Sequence, residues 1–127
     1  MQEPVRVTGM VLEVSPVGET DRRVVLLTKE RGKISAFARG ARKQGSRLMA
    51  ATNPFCFGEF ILYEGRNSYS LSEAVIRNYF EDMRMHFEEA CYGMYFLELM
   101  DYYTRENNDE REMLLLLYQS LRALRSL

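Results

Sequence analysis

The sequence contains few of the residues from which catalytic and metal sites are usually built. It has one histidine, His86, and two cysteines, Cys56 and Cys91, which lie far apart and form no CxxC pair. We therefore expect no zinc knuckle, no redox motif and no metal site, and predict that both cysteines are small buried hydrophobic residues. His86 is predicted to lie on the surface, because position 90, where a second metal ligand would stand on a helix, is an alanine.

Glycine-containing catalytic and phosphate-binding motifs are also missing. The sequence has no GxSxG, no GxxxxGK[ST] and no GxGxxG. No catalytic residue is predicted, and we expect that the protein is not an enzyme. The chain also has no signal peptide and no apolar stretch of transmembrane length, which predicts a cytoplasmic protein that does not bind a membrane.

Charge is unevenly distributed along the 127 residues. Residues 1–80 hold twelve basic and eight acidic residues, whereas residues 81–127 hold five basic and ten acidic residues, so their formal charges are +4 and −5. Such asymmetry indicates two regions with different roles.

The first region is predicted to be a β-barrel. Short β-rich runs with period-two alternation or turn residues at their ends are typical of antiparallel strands. Five strands are predicted: Val5 to Val14, Arg23 to Thr28, Lys33 to Arg39, Phe57 to Tyr63 and Ser68 to Glu73. The first of them contains Gly9, which suggests a bulge or sharp coil at that point. Five strands with a long first strand match a Greek-key barrel of the OB type, with an SH3-like barrel as the alternative.

The second region is predicted to be helical, so the fold class is α+β: an OB barrel over residues 1–80, then the first helices of a helical domain over residues 81–127. Apolar residues surround most of a helix from Asp82 to Tyr103, and a capping box of Asp109 and Glu112 begins another that runs to Leu127. Two such apolar helices cannot bury each other and also cover a barrel. We expect that the chain is a fragment, or that a partner chain completes the helical core.

One stretch, Lys33 to Arg47, combines five cations with glycine and serine and contains no acidic residue. Cations on a flexible loop beside a sheet are typical of a phosphate-contacting surface. Three aromatic residues, Phe37, Tyr63 and Tyr69, are interleaved with this positive charge, although barrel core is the commoner role for any one of them. The sequence thus predicts a nucleic-acid-binding barrel; the alternative is a protein-interaction module whose basic face docks an acidic protein partner.

The first half of the chain also resembles the N-terminal part of the RecO family of bacterial DNA repair and recombination mediators. The resemblance is ordered and ungapped, and it is carried by these segments: Gly18-Glu19-Thr20-Asp21-Arg22, Leu27 to Lys33, Ala36 to Lys43, Ser46-Arg47-Leu48 and Pro54-Phe55. It implies an OB fold followed by helices, binding of single- and double-stranded DNA, annealing of complementary strands, and partnership with RecR, single-stranded DNA-binding protein and, indirectly, RecA.

The resemblance further implies which residues contact DNA. Six cations match the family pattern: Arg22, Lys33, Arg39, Arg42, Lys43 and Arg47. Phe37 and Tyr69 are the candidates for base stacking. A family zinc site, where present, would lie beyond Leu127, so no cofactor is expected in this chain. The implied location is the bacterial nucleoid.

Overall fold

The structure, a computed structural model, describes residues 3–66, 68–105 and 108–125. Five strands precede the main helical region, as predicted, but a short helix that was not predicted lies between the third and fourth strands. The elements are β1 (Pro4–Val17), β2 (Asp21–Thr28), β3 (Gly32–Ala38), α1 (Leu48–Ala51), β4 (Phe57–Glu64), β5 (Tyr69–Asn78), α2 (Glu81–Arg84), α3 (Phe87–Tyr103) and α4 (Arg111–Arg125).

The five strands form a closed barrel in the order β1–β2–β3–β5–β4. The long β1 pairs with β2 over its second half and with β4 over its first half, and the short parallel pairing of β3 with β5 completes the closure. This is the five-stranded Greek-key arrangement of an OB fold, so the predicted fold is confirmed and the SH3-like alternative is dropped.

Strand β1 can pair with both β2 and β4 at the same residue because that residue is Gly9. This residue pairs with Thr28 of β2 and with Gly58 of β4, and a Cβ atom added to it would lie 2.6 Å from the carbonyl oxygen of Leu27. The close approach of three backbones therefore requires glycine. The irregularity expected at Gly9 lies three residues further on, where the register shifts between Val11 and Glu13.

The alternation of β1 and β2 produces two cores. Side chains on one face, among them Val11, Val24 and Leu26, fill the barrel together with Phe60 and Leu62 of β4. Side chains on the opposite face meet the helices, and this second core includes Met10, Leu12, Val25, Leu27, Phe80, Met83, Leu97, Leu114, Leu117 and Leu121. The helices thus cover the outer face of the β1–β2 hairpin.

The helical region differs from its prediction in two places. The helix expected from Asp82 to Tyr103 is divided into α2 and α3, because the backbone of His86 is extended, with φ −118° and ψ 113°. α4 begins at Arg111, one residue later than the predicted capping box of Asp109 and Glu112 implies, and the Asp109 carboxylate accepts a hydrogen bond from the Arg111 N–H at 3.3 Å. The predicted end of this helix at Leu127 lies outside the described residues. No helix of the described part is long and apolar enough to cross a membrane.

The two cysteines have different environments. Cys56 is fully buried in the barrel core, as predicted, and its thiol donates to the carbonyl oxygen of Ala50. Cys91 is exposed, so the prediction that it is buried was wrong. The apolar pattern of α3 runs around most of the helix, and the pattern alone did not indicate which face meets the barrel. His86 is exposed, as predicted.

Candidate nucleic-acid interface

The basic loop, residues 39–47, connects β3 to α1 and is held against the turn between β1 and β2. Gly40 donates its N–H to the Asp21 carboxylate at 2.7 Å, and the Arg42 N–H donates to the Thr20 carbonyl at 2.8 Å. The Arg42 guanidinium adds bonds to the carbonyl oxygens of Gly18 and Asp21, at 3.1 and 3.3 Å. Arg42 is therefore half-buried and fixes the loop, with part of its guanidinium already used within the protein.

Three cations of the basic loop are free to meet a ligand. The side chains of Arg39, Lys43 and Arg47 are exposed, and within residues 3–66, 68–105 and 108–125 they form no hydrogen bond or ion pair. The charges of Arg39 and Lys43 help to lower the pKa of Asp21, although the hydrogen bond from the Gly40 N–H is the main cause. An ordered loop thus presents three uncompensated cations to solvent.

Arg22 is engaged inside the protein. It lies on the same face of β2 as the core residues Val24 and Leu26, and its Nη1 donates to the Met49 carbonyl at 3.0 Å and to the Thr52 hydroxyl at 2.9 Å. Met49 lies in α1 and Thr52 directly follows it, and Leu48 of the same helix packs in the barrel core. Arg22 thus differs from the three exposed cations of the basic loop in having hydrogen-bond partners within the protein.

Lys33 is also engaged, at the contact between barrel and helices. Its ammonium donates to the backbone carbonyl and the carboxylate of Asp101 at the end of α3, at 2.7 and 3.1 Å. The same carboxylate hydrogen-bonds the Glu13 carboxyl, which raises the pKa of Glu13 above its usual value, with burial adding to the effect and the charges of Arg23 and Lys33 opposing it. The positive charge of Lys33 thus offsets the negative charge of the Glu13 and Asp101 carboxyl groups.

The two aromatic residues predicted to stack on bases have different positions. Phe37 points outward from β3 and is 37% exposed, as a stacking residue requires. Tyr69 points inward and packs against the barrel core, while its hydroxyl accepts a hydrogen bond from Arg31 at 3.5 Å. Of these two residues, only Phe37 presents its ring to the outer surface.

A third aromatic residue, Tyr63, lies on the outer surface and was not among the predicted site residues. It is 37% exposed, since the neighbouring Phe60 and Leu62 take the inward positions of β4. The signal was in the sequence: Leu62 before it is apolar and Glu64 after it is charged, which is the pattern of a strand leaving the core.

A polar pocket of about 570 Å³ lies at the other end of β3, between the β2–β3 turn, the β4–β5 loop and the start of α4. Its lining includes Ser35 of β3, four cations and three carboxylates: Lys29, Arg31, Arg66, Arg111, Glu30, Glu64 and Asp109. Two of the carboxylates form long ion pairs with cations of the pocket, at 3.8 Å each. The cations of this pocket are therefore largely balanced by its carboxylates, unlike the exposed cations of the basic loop.

Asp21 provides a test of how the basic loop is anchored. The Gly40 N–H is the main reason that the pKa of Asp21 lies below its usual value, although desolvation opposes it and Arg39 and Lys43 assist. Because only the carboxylate form is favoured, the anchor is complete above the unfolded-state pKa and is lost as the pH falls through the lower folded-state pKa. In an NMR titration we expect the Gly40 amide signal to move with a midpoint below about 3.8.

The matched control for this titration is Asp21→Asn, whose amide oxygen can still accept from Gly40 but does not titrate. In this variant the Gly40 signal should stay constant through the same pH range. A wild-type midpoint at or above the usual aspartate value would contradict the anchoring role.

Comparisons with known proteins agree with this geometry. A family model described as "Recombination protein O N terminal" matches residues 1–80. Among relatives named "DNA repair protein RecO", the one from Clostridium novyi is 35% identical over 105 residues, which cover 83% of this chain and 41% of the relative. The one from Bacillus pumilus is 37% identical over 116 residues, covering 91% and 45%, and the one from Alkaliphilus metalliredigens is 34% identical over 117 residues, covering 92% and 48%.

The chain thus spans less than half the length of each of these relatives, and it aligns with them across both the barrel and the helices. The family model covers the whole barrel, including the basic loop and the turn that anchors it. The resemblance noted in the sequence is confirmed, and the chain belongs to the RecO family of bacterial DNA repair proteins.

Proposed function

We propose that this chain binds single- and double-stranded DNA through the basic loop with little sequence preference. The observation that carries the proposal is the exposure of Arg39, Lys43 and Arg47, whose side chains have no hydrogen-bond or ion-pair partner among the described residues and lie on a loop that hydrogen bonds hold in place. Exposed cations on an ordered loop suit phosphate groups, which occur on every nucleotide and carry no sequence information.

The mechanism is electrostatic. Each cation that meets a phosphate releases condensed counterions, which gives affinity at low salt. The same neutralisation lowers the repulsion between two complementary strands and so favours their annealing. No bond is made or broken in this process, so the proposed role is that of a non-catalytic recombination mediator.

The proposed partners follow from membership of the RecO family. We propose that the chain acts at the bacterial nucleoid with RecR and single-stranded DNA-binding protein, and that it promotes the loading of RecA on DNA. In this scheme residues 1–80 are the DNA-binding domain and residues 81–127 are the beginning of a helical domain. The match of the family model to residues 1–80 supports that division.

The test neutralises two of the exposed cations together, in the variant Lys43→Gln/Arg47→Gln. If each cation contacts one phosphate of a single strand, the slope of log K against log salt should become less steep by about 1.4. The affinity at 50 mM salt should then fall roughly 60-fold, since each contact contributes about 0.7 to the slope. Fluorescence anisotropy with labelled oligonucleotides of two unrelated sequences measures both quantities, and the loss should be equal for the two.

The matched control is Arg6→Gln/Arg77→Gln, which changes the net charge by the same amount at another place. Both arginines are exposed and both pair with Glu59, at 3.1 and 3.2 Å. This control should keep the wild-type salt slope within about 0.5. Equal losses in the two double variants would show that net charge rather than the basic loop governs binding. Wild-type protein without salt-sensitive binding at micromolar concentration would instead favour an acidic protein as the partner of the basic face.

A further inference from the structure

The outward aromatic residues Phe37 and Tyr63 lie in one row across the barrel. Phe37 of β3 pairs with Ser70 of β5, and Ser70 pairs with Tyr63 of β4. Residues that pair directly across neighbouring strands project from the same face of a sheet. The row therefore presents an aromatic ring, a small hydroxyl side chain and a second aromatic ring on one continuous surface.

Both rings are open to solvent, although most of their neighbours along the same strands are buried. Phe37 and Tyr63 are each 37% exposed, whereas Ala36, Ala38 and Leu62 next to them are buried in the barrel. Ser70 between them is exposed and small. Because neighbouring strands are about 4.8 Å apart, the two aromatic positions are separated by roughly 10 Å, so each ring has room for a base of its own.

The row is continuous with the basic loop. Arg39 follows the end of β3, two residues beyond Phe37 and at the start of the basic loop, and Arg23 of β2 pairs with Phe37 on the other side. A strand whose phosphates meet the exposed loop cations would therefore pass its bases over the aromatic row. Stacking platforms beside positively charged grooves are the usual means by which OB folds hold single strands.

We propose that Phe37 and Tyr63 form a two-ring stacking platform for unpaired nucleobases, and that this platform makes the chain prefer single-stranded to double-stranded DNA. The inference rests on the proposed DNA binding and adds the chemical class of DNA that is preferred. In a duplex the faces of the bases are covered by their neighbours and only the phosphates are available. The basic loop therefore binds both forms, and the platform binds only the form with accessible base faces.

The test compares a labelled oligo-dT with an abasic oligonucleotide of the same length, which has the same phosphates but no bases. Wild-type protein should bind the oligo-dT more tightly, and Tyr63→Leu should weaken that binding roughly 5- to 150-fold, the range expected for one stacked base. Affinity for the abasic strand and for a duplex, and the salt slope, should stay at their wild-type values. Phe37→Leu should have the same selective effect.

The matched control is Tyr102→Leu, which removes a tyrosine that is 80% exposed on α3, away from the row. It should leave the preference for oligo-dT unchanged. Circular dichroism and thermal unfolding verify that the leucine variants are folded, since leucine at these surface positions removes no core contact.

Three results would overturn the inference. Equal, salt-sensitive binding of oligo-dT and abasic strand by the wild type would remove the platform while leaving the proposed function intact. A loss in Tyr63→Leu that is the same for oligo-dT, abasic strand and duplex would show that the residue does not act by stacking. If the wild type shows no salt-sensitive binding to the oligo-dT, to the abasic strand or to the duplex, the platform and DNA binding by the basic loop are both rejected.

Discussion

Leu117→Ala is expected to lower the free energy of unfolding by about 3 kcal/mol, within the usual range of about 2–5 kcal/mol for a fully buried leucine. Leu117 of α4 is 0% exposed in the core between the helices and the outer face of the β1–β2 hairpin. Truncation leaves a cavity that Met10, Leu27 and the neighbouring leucines cannot fill without moving strands of the barrel. For a chain of this size the melting temperature should fall by roughly 10 °C.

The adjacent Leu116 provides the control, because it is on the same helix but 51% exposed. Leu116→Ala should lower the free energy of unfolding by less than about 1 kcal/mol, as expected for a surface position. Urea unfolding followed by far-ultraviolet circular dichroism and by tyrosine fluorescence measures both variants. If Leu117→Ala and Leu116→Ala differ by less than about 0.5 kcal/mol, α4 does not pack on the barrel as described.

Arg22→Met is expected to destabilise the chain by about 2–3 kcal/mol while leaving most of the proposed salt-sensitive DNA binding in place. The guanidinium of Arg22 bonds the end of α1 through Met49, Thr52 and Asn53, and hydrogen bonds of a charged group contribute about 1.5–3 kcal/mol each when their partners are not exposed to water. We expect a total well below the sum for three separate bonds, because these contacts share one nitrogen and Arg22 is only half-buried.

Arg47→Met is the matched control, since Arg47 stands at the other end of α1 with an exposed side chain. Its free energy of unfolding should change by less than about 0.5 kcal/mol, and its salt slope should become less steep by about 0.7. Arg22→Met should thus mainly lower the melting temperature in thermal unfolding, whereas Arg47→Met should mainly reduce the salt slope in anisotropy titrations. If Arg22→Met kept the wild-type melting temperature but lost the salt slope, Arg22 would be a phosphate contact, as the family pattern implies.

The barrel could be predicted from the sequence because period-two alternation dominates its strands. The exception was β5, which was expected to end at Glu73 and continues to Asn78. Ile61 pairs with Glu73 and Leu62 with Leu71, so Ser72 is an extra residue in a bulge. A bulge reverses the alternation, and the second half of the strand then no longer matches the pattern of the first.

The candidate site was predicted only in part, because charge alone does not reveal long-range partners. The helix that binds Arg22 is about thirty residues away in sequence, and Asp101, which binds Lys33, is 68 residues away. The alternation of residues along the strands could also have predicted which of the candidate side chains point into the barrel. It places Arg22 with Val24 and Leu26, and Tyr69 with Leu71, on inward faces, and it leaves Tyr63 outward.

The cover that the helices provide on the β1–β2 hairpin limits how this barrel can be reused in evolution. Met10, Leu12, Val25 and Leu27 form an apolar outer face that is covered by α2, α3 and α4 together with Phe55 and Phe80. A gene rearrangement that joined the barrel alone to another protein would expose this face and favour aggregation. The barrel can therefore be transferred only together with its helices or with a substitute for them, which ties the inheritance of the two regions together.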